Sequence, residues 1–236
     1  MRSRRLEYSE STRSALVESA VTLFTKHGYA GTSLDEIAKR ARVTKGALYH
    51  HFSGKQALFE AAFDAVERRV HAELTEVTEG DGAPWDRAVE GLRTFLTICL
   101  EPEYQRIVIH EAPVVMGAER WREAESHYSY GVIRSILNDL VESGHLGAIP
   151  LEVTANLLFG ALSAAASMIA GSADPKDVSA RTEEVIVQVL RSVRASAAAG
   201  TPDTDAGPAR GKRSAAHIAD KIRTKVAGDP SGAGER

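Results

Sequence analysis

The chain has 236 residues, of which 43% are hydrophobic and 26% charged, and it carries a formal charge of −3. That length holds a small domain and a larger one with its own core, and the composition is that of an ordinary globular protein, not a low-complexity or collagen-like chain. The lone Cys99 excludes an intramolecular disulfide and a cysteine-rich zinc site and fits a reducing cytoplasm, and the arginines near Met1 precede no apolar run, so no signal peptide is expected.

The charge is unevenly distributed. Residues 1–55 hold ten Lys and Arg against five Asp and Glu; residues 56–199 hold twelve against 22; residues 200–236 hold seven against five. A basic head on an acidic body suits a protein of which one end meets phosphates.

In chain order, residues 9–27 repeat apolar positions at Leu16, Ala20, Leu23 and Phe24 and stop at Gly28, as a helix does. Ser33 with Glu36 makes a capping box, so a second helix starts at Leu34 with Ile37, Ala38 and Ala41 on one side. Val43 buries in the turn, and Thr44 caps a short third helix, residues 45–51. Leu48 and Phe52 face inward, leaving Lys45, Gly46, Tyr49 and His50 outside. A short helix with a cation, an aromatic hydroxyl and imidazoles on its outer face suits a DNA groove. The amino end puts Lys45, Gly46 and Ala47 deepest. Gly46 allows close backbone approach, Ala47 offers a methyl to thymine, and Lys45 reaches a guanine edge or a phosphate. Thr32 and Lys55 sit at helix starts, where free amides favour phosphate.

Residues 20–59, AVTLFTKHGYAGTSLDEIAKRARVTKGALYHHFSGKQALF, resemble the amino-terminal domain of the tetracycline-repressor-like (TetR) family. That pattern runs Gly-[Tyr/Phe], Thr-[Ser/Thr]-[Leu/Val/Met]-x-x-Ile-Ala, a turn, then Gly-x-[Leu/Ile]-Tyr-x-[His/Tyr]-Phe and a basic residue. The resemblance implies that Tyr49 and His51 bond to backbone phosphates and that His50 contacts a base or a phosphate.

The remainder reads as helices at residues 54–78, 85–100, 104–112, 118–143, 151–173 and 177–199, with breaks at the glycines near 80, at Pro102, Pro113 and Gly144. The expected fold is all-α: a three-helix helix-turn-helix DNA-binding domain over residues 1–55, then a helical effector-binding and dimerisation bundle over 56–199. Residues 200–236, rich in Gly, Pro, Ala and Asp, read as a disordered tail. The uncharged stretch 153–173 is long enough to raise a membrane span, but its Thr, Asn, Ser and many Ala residues fit a helix buried between subunits better. In TetR relatives the last two helices pair with a second chain as a four-helix bundle. Gly160, Ala161, Ala164 and Ala165 would permit close packing there, with Val185, Val189 and Val193, or Ile186 and Leu190, on the last helix.

Residues 110–123, HEAPVVMGAERWRE, resemble a motif in the effector domain of one TetR branch. Phe95, Ile98, Cys99, Val108, Val115, Met116, Trp121 and Tyr128, beside His110 and His127, supply apolar walls with a few polar groups, the usual make-up of a small-molecule site. No nucleophile elbow, dinucleotide fingerprint or metal-ligand spacing occurs, so neither an enzyme, a cofactor nor a metal is expected. The resulting expectation is a cytoplasmic homodimeric repressor that leaves a palindromic double-stranded operator when a small hydrophobic effector binds. A ligand-independent DNA-binding protein and an enzyme carrying a helix-turn-helix are the alternatives, and activation shares the pattern with repression.

Overall fold

Helix α1 (Arg2–Gly31) begins the chain in the computed structural model, which describes residues 2–199; the tail expected over 200–236 lies outside them. α1 is broken at Gly28, whose φ of 74° and ψ of 171° no helical residue adopts. α2 (Leu34–Arg40) and α3 (Lys45–His51) follow as the sequence predicts. The Ser33 hydroxyl accepts from the Glu36 amide while the Glu36 carboxylate accepts from the Ser33 amide at 2.8 Å, and the Thr44 hydroxyl accepts from the Ala47 amide at 3.2 Å. Each cap of this kind contributes about 1 kcal/mol. The turn between them holds Arg42 at φ 56°, the left-handed region where a side chain is strained.

Leu16, Phe24, Ile37, Leu48 and Phe52 close a small core beneath α3. The Tyr29 ring, turned in by the Gly28 break, stands 5.8 Å from Phe24 and 5.4 Å from Phe59, which itself meets Phe24 at 5.3 Å. Aromatic pairs at these distances add about 0.5–1.5 kcal/mol each beyond their burial.

Phe59 belongs to α4 (Lys55–Glu79), a helix of 25 residues and so about 37 Å long. Its first half closes the core under α1; its second half, from Val66 through Val70 and Leu74, packs in the body. One continuous hydrophobic core therefore runs from Leu16 to Val187 without a gap at residue 55.

The body is α5 (Pro84–Ile98), a π-helix (Tyr104–Glu111), α6 (Ala112–Val115), α7 (Ala118–Glu142), α8 (Leu151–Ala170) and α9 (Pro175–Ala199). Pro113 does not end a helix as expected. It stands in the first turn of α6, where its missing amide costs nothing. The widened turn of the π-helix has no periodicity that distinguishes it from an α-helix in sequence.

α8 is long and apolar enough, at mean hydropathy 1.6, to cross a membrane by length and composition. Its two faces differ. Ala155, Ala165, Ala166 and Ile169 are buried against the rest of the chain, whereas Val153, Leu157, Gly160, Ala161, Ala164 and Met168 lie exposed along the opposite side. Ala165 thus packs inside its own subunit, not on the outer stripe expected for it. On α9, Val185 and Val189 are exposed while Ile186 and Leu190 turn inward; Val193's side chain lies outside the described residues.

Candidate nucleic-acid interface and body cavity

The outer face of α3 carries Thr44, Lys45, Gly46, Tyr49 and His50 exposed, with Ala47 and His51 half-buried behind them. Leu48 and Phe52 hold that face outward by filling the core beneath it. Tyr49 stands 51% exposed, and the His50 and His51 rings meet edge to face at 5.5 Å.

Lys45 is not idle. Its Nζ lies 2.7 Å from Asp35 Oδ1 on α2, and that hydrogen bond holds the ammonium above its ordinary pKa. Asp35 was not anticipated; its signal was only a carboxylate in the first turn of α2, ordinarily read as a helix-dipole partner.

Two expected phosphate contacts are placed differently. Thr32 is buried, and its hydroxyl donates to Gly28 O at 2.8 Å and lies 3.1 Å from Leu23 O, so the side chain locks the Gly28 corner and does not face DNA. Lys55 folds back over the Tyr29 ring, its Nζ 4.4 Å from the centroid and 3.5 Å from Ala30 O. The α4 amides behind it have no side-chain cap from Gly54.

The head is tied to the body at the same corner. Glu111, at the end of the π-helix, accepts from the Tyr29 amide at 2.5 Å through Oε2 and pairs with Arg106 Nε at 3.0 Å through Oε1. Any side chain at Gly28 would run into Arg106 and Glu111. Arg120 also reaches from α7 to Glu60 of α4 at 2.7 Å.

The body holds a partly open pocket of about 100 Å³, walled by Leu74 and Thr78 of α4, Leu92 and Phe95 of α5, Val132 to Leu140 of α7, Leu158 and Leu162 of α8, and Ile186 and Leu190 of α9. Of the ten residues expected around a ligand, only Phe95 is in this wall. Ile98, Cys99 and Val108 are fully buried in the core beside it; Val115, Met116 and Trp121 pack half-buried near the α6 bend; His110 and His127 are exposed. Tyr128 turns toward α4, its hydroxyl 3.5 Å from Asp64. The physical reason is rotational. The cavity takes the stripe of α7 that continues Glu125, Ser129 and Val132, and His127 and Tyr128 lie off that stripe.

Glu125 is the one charged residue in the wall among the described residues, and burial raises its pKa, against the lowering effect of a Ser163 hydrogen bond and of Arg122. Glu67, fully buried on α4, has neither carboxyl oxygen hydrogen-bonded. Burial, then the charges of Glu125 and Asp64, push it up to about 8. A signal for Glu67 was present: it falls on the stripe of Phe63, Val66 and Val70, where an acid is out of place.

A capped two-helix unit with an exposed reading helix, on a helical body with a partly open apolar pocket, defines the class of helix-turn-helix regulators. The profile "Bacterial regulatory proteins, tetR family" matches residues 16–62, and "Tetracyclin repressor-like, C-terminal domain" matches residues 85–193. The chain is 31% identical over 154 residues to the transposon Tn10 TetC protein of Escherichia coli, covering 65% of this chain and 78% of that one. A TetR-family transcriptional regulator from Pectobacterium atrosepticum superposes with a TM-score of 0.71 at 29% identity, over 79% of this chain and 96% of that one. RolR, solved in complex with its ligand resorcinol, shares the fold at a TM-score of 0.59 and 21% identity, over 85% of this chain and all of that one. The chain belongs to the TetR family and is a DNA-binding transcriptional regulator.

Proposed function

We propose that this protein is a homodimeric cytoplasmic repressor that holds a palindromic operator through α3 and releases it when a small, largely apolar molecule enters the body. In this reading residues 1–55 form the DNA-binding part and residues 56–199 the effector and dimerisation part. The observation that carries it is α4, a single helix that lines the cavity with Leu74 and Thr78 and packs Phe59 against Phe24 and Tyr29 of the head. A ligand that spreads the cavity wall has to move the helix on which the reading head rests. The bond from Glu111 to the Tyr29 amide supports a second route between the same parts. The binding of resorcinol by RolR, a protein of the same fold, supports a ligand within the body.

The outward-facing apolar stripe of α8, with Val185 and Val189 of α9, supports the dimer. Contiguous exposed apolar surface of this kind ordinarily marks a contact. Two α3 helices related by a two-fold axis would lie about 34–36 Å apart, one turn of DNA, or a multiple of it. Lys45, Gly46 and Ala47 would face base edges, and Tyr49, His50 and His51 would contact phosphates or neighbouring bases. Release needs an effector that binds the two dimer conformations with different affinity, typically about 1–3 kcal/mol of coupling.

The test is footprinting of the DNA upstream of its own gene, with and without small apolar compounds. A protected two-fold site that reopens on ligand addition is the expected result. Equal binding of upstream and random DNA at physiological salt would end the regulator reading, and a site unaffected by any compound that binds the body would leave a ligand-independent binder.

A further inference from the structure

Asp35 and Lys45 meet across the turn between α2 and α3. Asp35 is the second residue of α2 after its Ser33 cap, and Lys45 is the first residue of α3. Lys45 Nζ lies 2.7 Å from Asp35 Oδ1, and the two side chains are 59% and 66% exposed. An exposed ion pair of this kind adds little to stability. It does fix where a charge sits. A lysine ammonium is a point charge on a flexible stem, and on a DNA-facing helix such a stem readily finds a phosphate, which carries no sequence information. Asp35 holds this one at the first turn of α3 instead. The surface beside it is open: a Cβ added at Gly46 would meet Thr44 Oγ1 no closer than 3.9 Å.

The pair shows a donor beside an acceptor. An ammonium has three N–H donors and a carboxylate about four lone-pair sites, so each keeps most of its capacity after their mutual contact. A base pair shows the same arrangement in reverse. In G·C, guanine O6 accepts from cytosine N4 across about 2.9 Å, close to the 2.7 Å of the ion pair. Laid on that edge, Lys45 donates to guanine O6 and N7 while Asp35 accepts from cytosine N4. An A·T pair instead flanks its adenine N6 donor with two acceptors, adenine N7 and thymine O4. A carboxylate on that donor then meets an acceptor lone pair beside it. Away from a cytosine amino group, Asp35 also repels phosphates, in a head whose residues 1–55 hold ten basic and five acidic side chains. It therefore penalises the wrong sites as well as favouring the right one.

We propose that Asp35 is a specificity-determining residue: with Lys45 it reads one G·C pair in each half-site, guanine through Lys45 and cytosine through Asp35, and it keeps Lys45 off the phosphates. This rests on the reading of α3 as the operator-contacting helix and names a residue of α2 that decides which operator is taken. Removing Asp35 frees Lys45 for a phosphate. Each phosphate neutralised steepens the salt dependence by about 0.9 in slope, so loss of this acid should raise affinity for random DNA while erasing the preference for G·C. Removing Lys45 acts in the opposite sense, because the carboxylate then faces the groove unpaired and every sequence binds more weakly. An Asp35 that served only the α2 dipole would alter neither the slope nor the base preference.

The experiment uses the full-length protein as wild type, Asp35→Ala, Asp35→Asn, Lys45→Ala and the double variant Asp35→Ala with Lys45→Ala. Sites are selected from a pool of random duplexes, and affinities for the wild-type site and for a random duplex are read by fluorescence anisotropy over a salt series. Wild type is expected to select G·C at one fixed position of each half-site, with about a tenfold penalty for A·T there. Asp35→Ala should lose that penalty, bind random DNA several-fold more tightly and steepen the salt slope by about 0.9. Asp35→Asn, whose amide both donates and accepts, should accept A·T at that position as well. Lys45→Ala should bind random DNA more weakly than the double variant does. Should Asp35→Ala fail to fold in far-UV dichroism, Asp35→Asn, of nearly the same size, carries the same decision. A wild-type site with no fixed G·C, an unchanged penalty in the Asp35 variants, or equal weakening of both DNAs by them overturns the proposal. A wild type that binds upstream and random DNA equally ends the regulator reading itself. Wild type and Asp35 variants that select one and the same site end only the role of Asp35.

Discussion

In the head, the groups that face outward sit on a seven-residue helix capped at its start by the residue before it and seated by Leu48 and Phe52. In the body, the polar groups of interest point inward from separate helices, Glu67 on α4, Glu125 on α7 and Ser163 on α8, and meet only because those helices pack. The head reaches its partner by exposing a surface built from local contacts. The body leaves its core incompletely filled and one buried acid, Glu67, without a hydrogen-bond partner. A site of the first kind tolerates changes far away in sequence; one of the second kind responds to any helix in its wall.

Phe59 belongs to both regions, and its removal tests whether they are one cooperative unit. Phe59→Ala should cost about 3–5 kcal/mol, and urea unfolding followed by far-UV dichroism should remain a single transition. Two separated transitions would mean that head and body fold independently.

Glu67 tests the cost of the mismatched acid. Its pKa is raised on folding from 4.5 to about 8, so the folded state keeps a proton that the unfolded state has lost. The associated stability is fully present below about pH 4.5 and declines as pH rises toward 8, by up to about 1.4 kcal/mol per unit. Melting temperatures across that window should fall less steeply in Glu67→Gln than in the wild type. Parallel curves would show that the acid is not strained as described.

The two faces of α8 provide a sharper contrast. Leu157→Glu, on the exposed stripe, should leave the fold intact and weaken the dimer by about 2 kcal/mol or more, seen as monomer in light scattering. Ala165→Arg, buried in its own subunit, should unfold the chain instead. A folded monomer from Ala165→Arg would reverse the assignment of the two faces.

Tyr49→Ala should weaken DNA binding to all sequences by roughly 1 kcal/mol, whereas Lys55→Ala, whose ammonium rests on the Tyr29 ring, should leave the salt slope unchanged. Lys45→Ala should alter site preference instead, since Asp35 already holds that ammonium on the reading face. The smallest effect expected is for Arg42→Gly, which relieves the left-handed strain and should stabilise the head by about 0.5–1 kcal/mol in thermal unfolding. A loss of stability there would mean that Arg42 makes a compensating contact.

The head was legible in sequence because its signals are short-range. Ser33 and Glu36, Thr44 and Ala47, and Leu48 and Phe52 interact within four residues of each other, so spacing alone identifies them. Thr32 was misread for the same reason: its place near a helix start suggested phosphate, while its actual acceptors, Gly28 O and Leu23 O, depend on how the Gly28 corner folds. The body helices were found by their apolar periodicity, with ends within a few residues, but the wall of the body pocket was not. Aromatic and polar types were gathered from one stretch of chain, and only Phe95 proved to face the cavity.

Sequence alone determined the all-helical class, the capped helix-turn-helix and the residues on the outer face of α3, because a helix converts spacing into direction without help from elsewhere. Tertiary structure decided the rest: that Asp35 holds Lys45, that Glu111 anchors the Tyr29 amide, that Ala165 faces inward, that Glu125 enters the pocket wall and that Glu67 is buried without a hydrogen-bond partner. Each of these depends on the rotation of one helix against another, which is set by the packing of whole faces and is not encoded in any short run of residues.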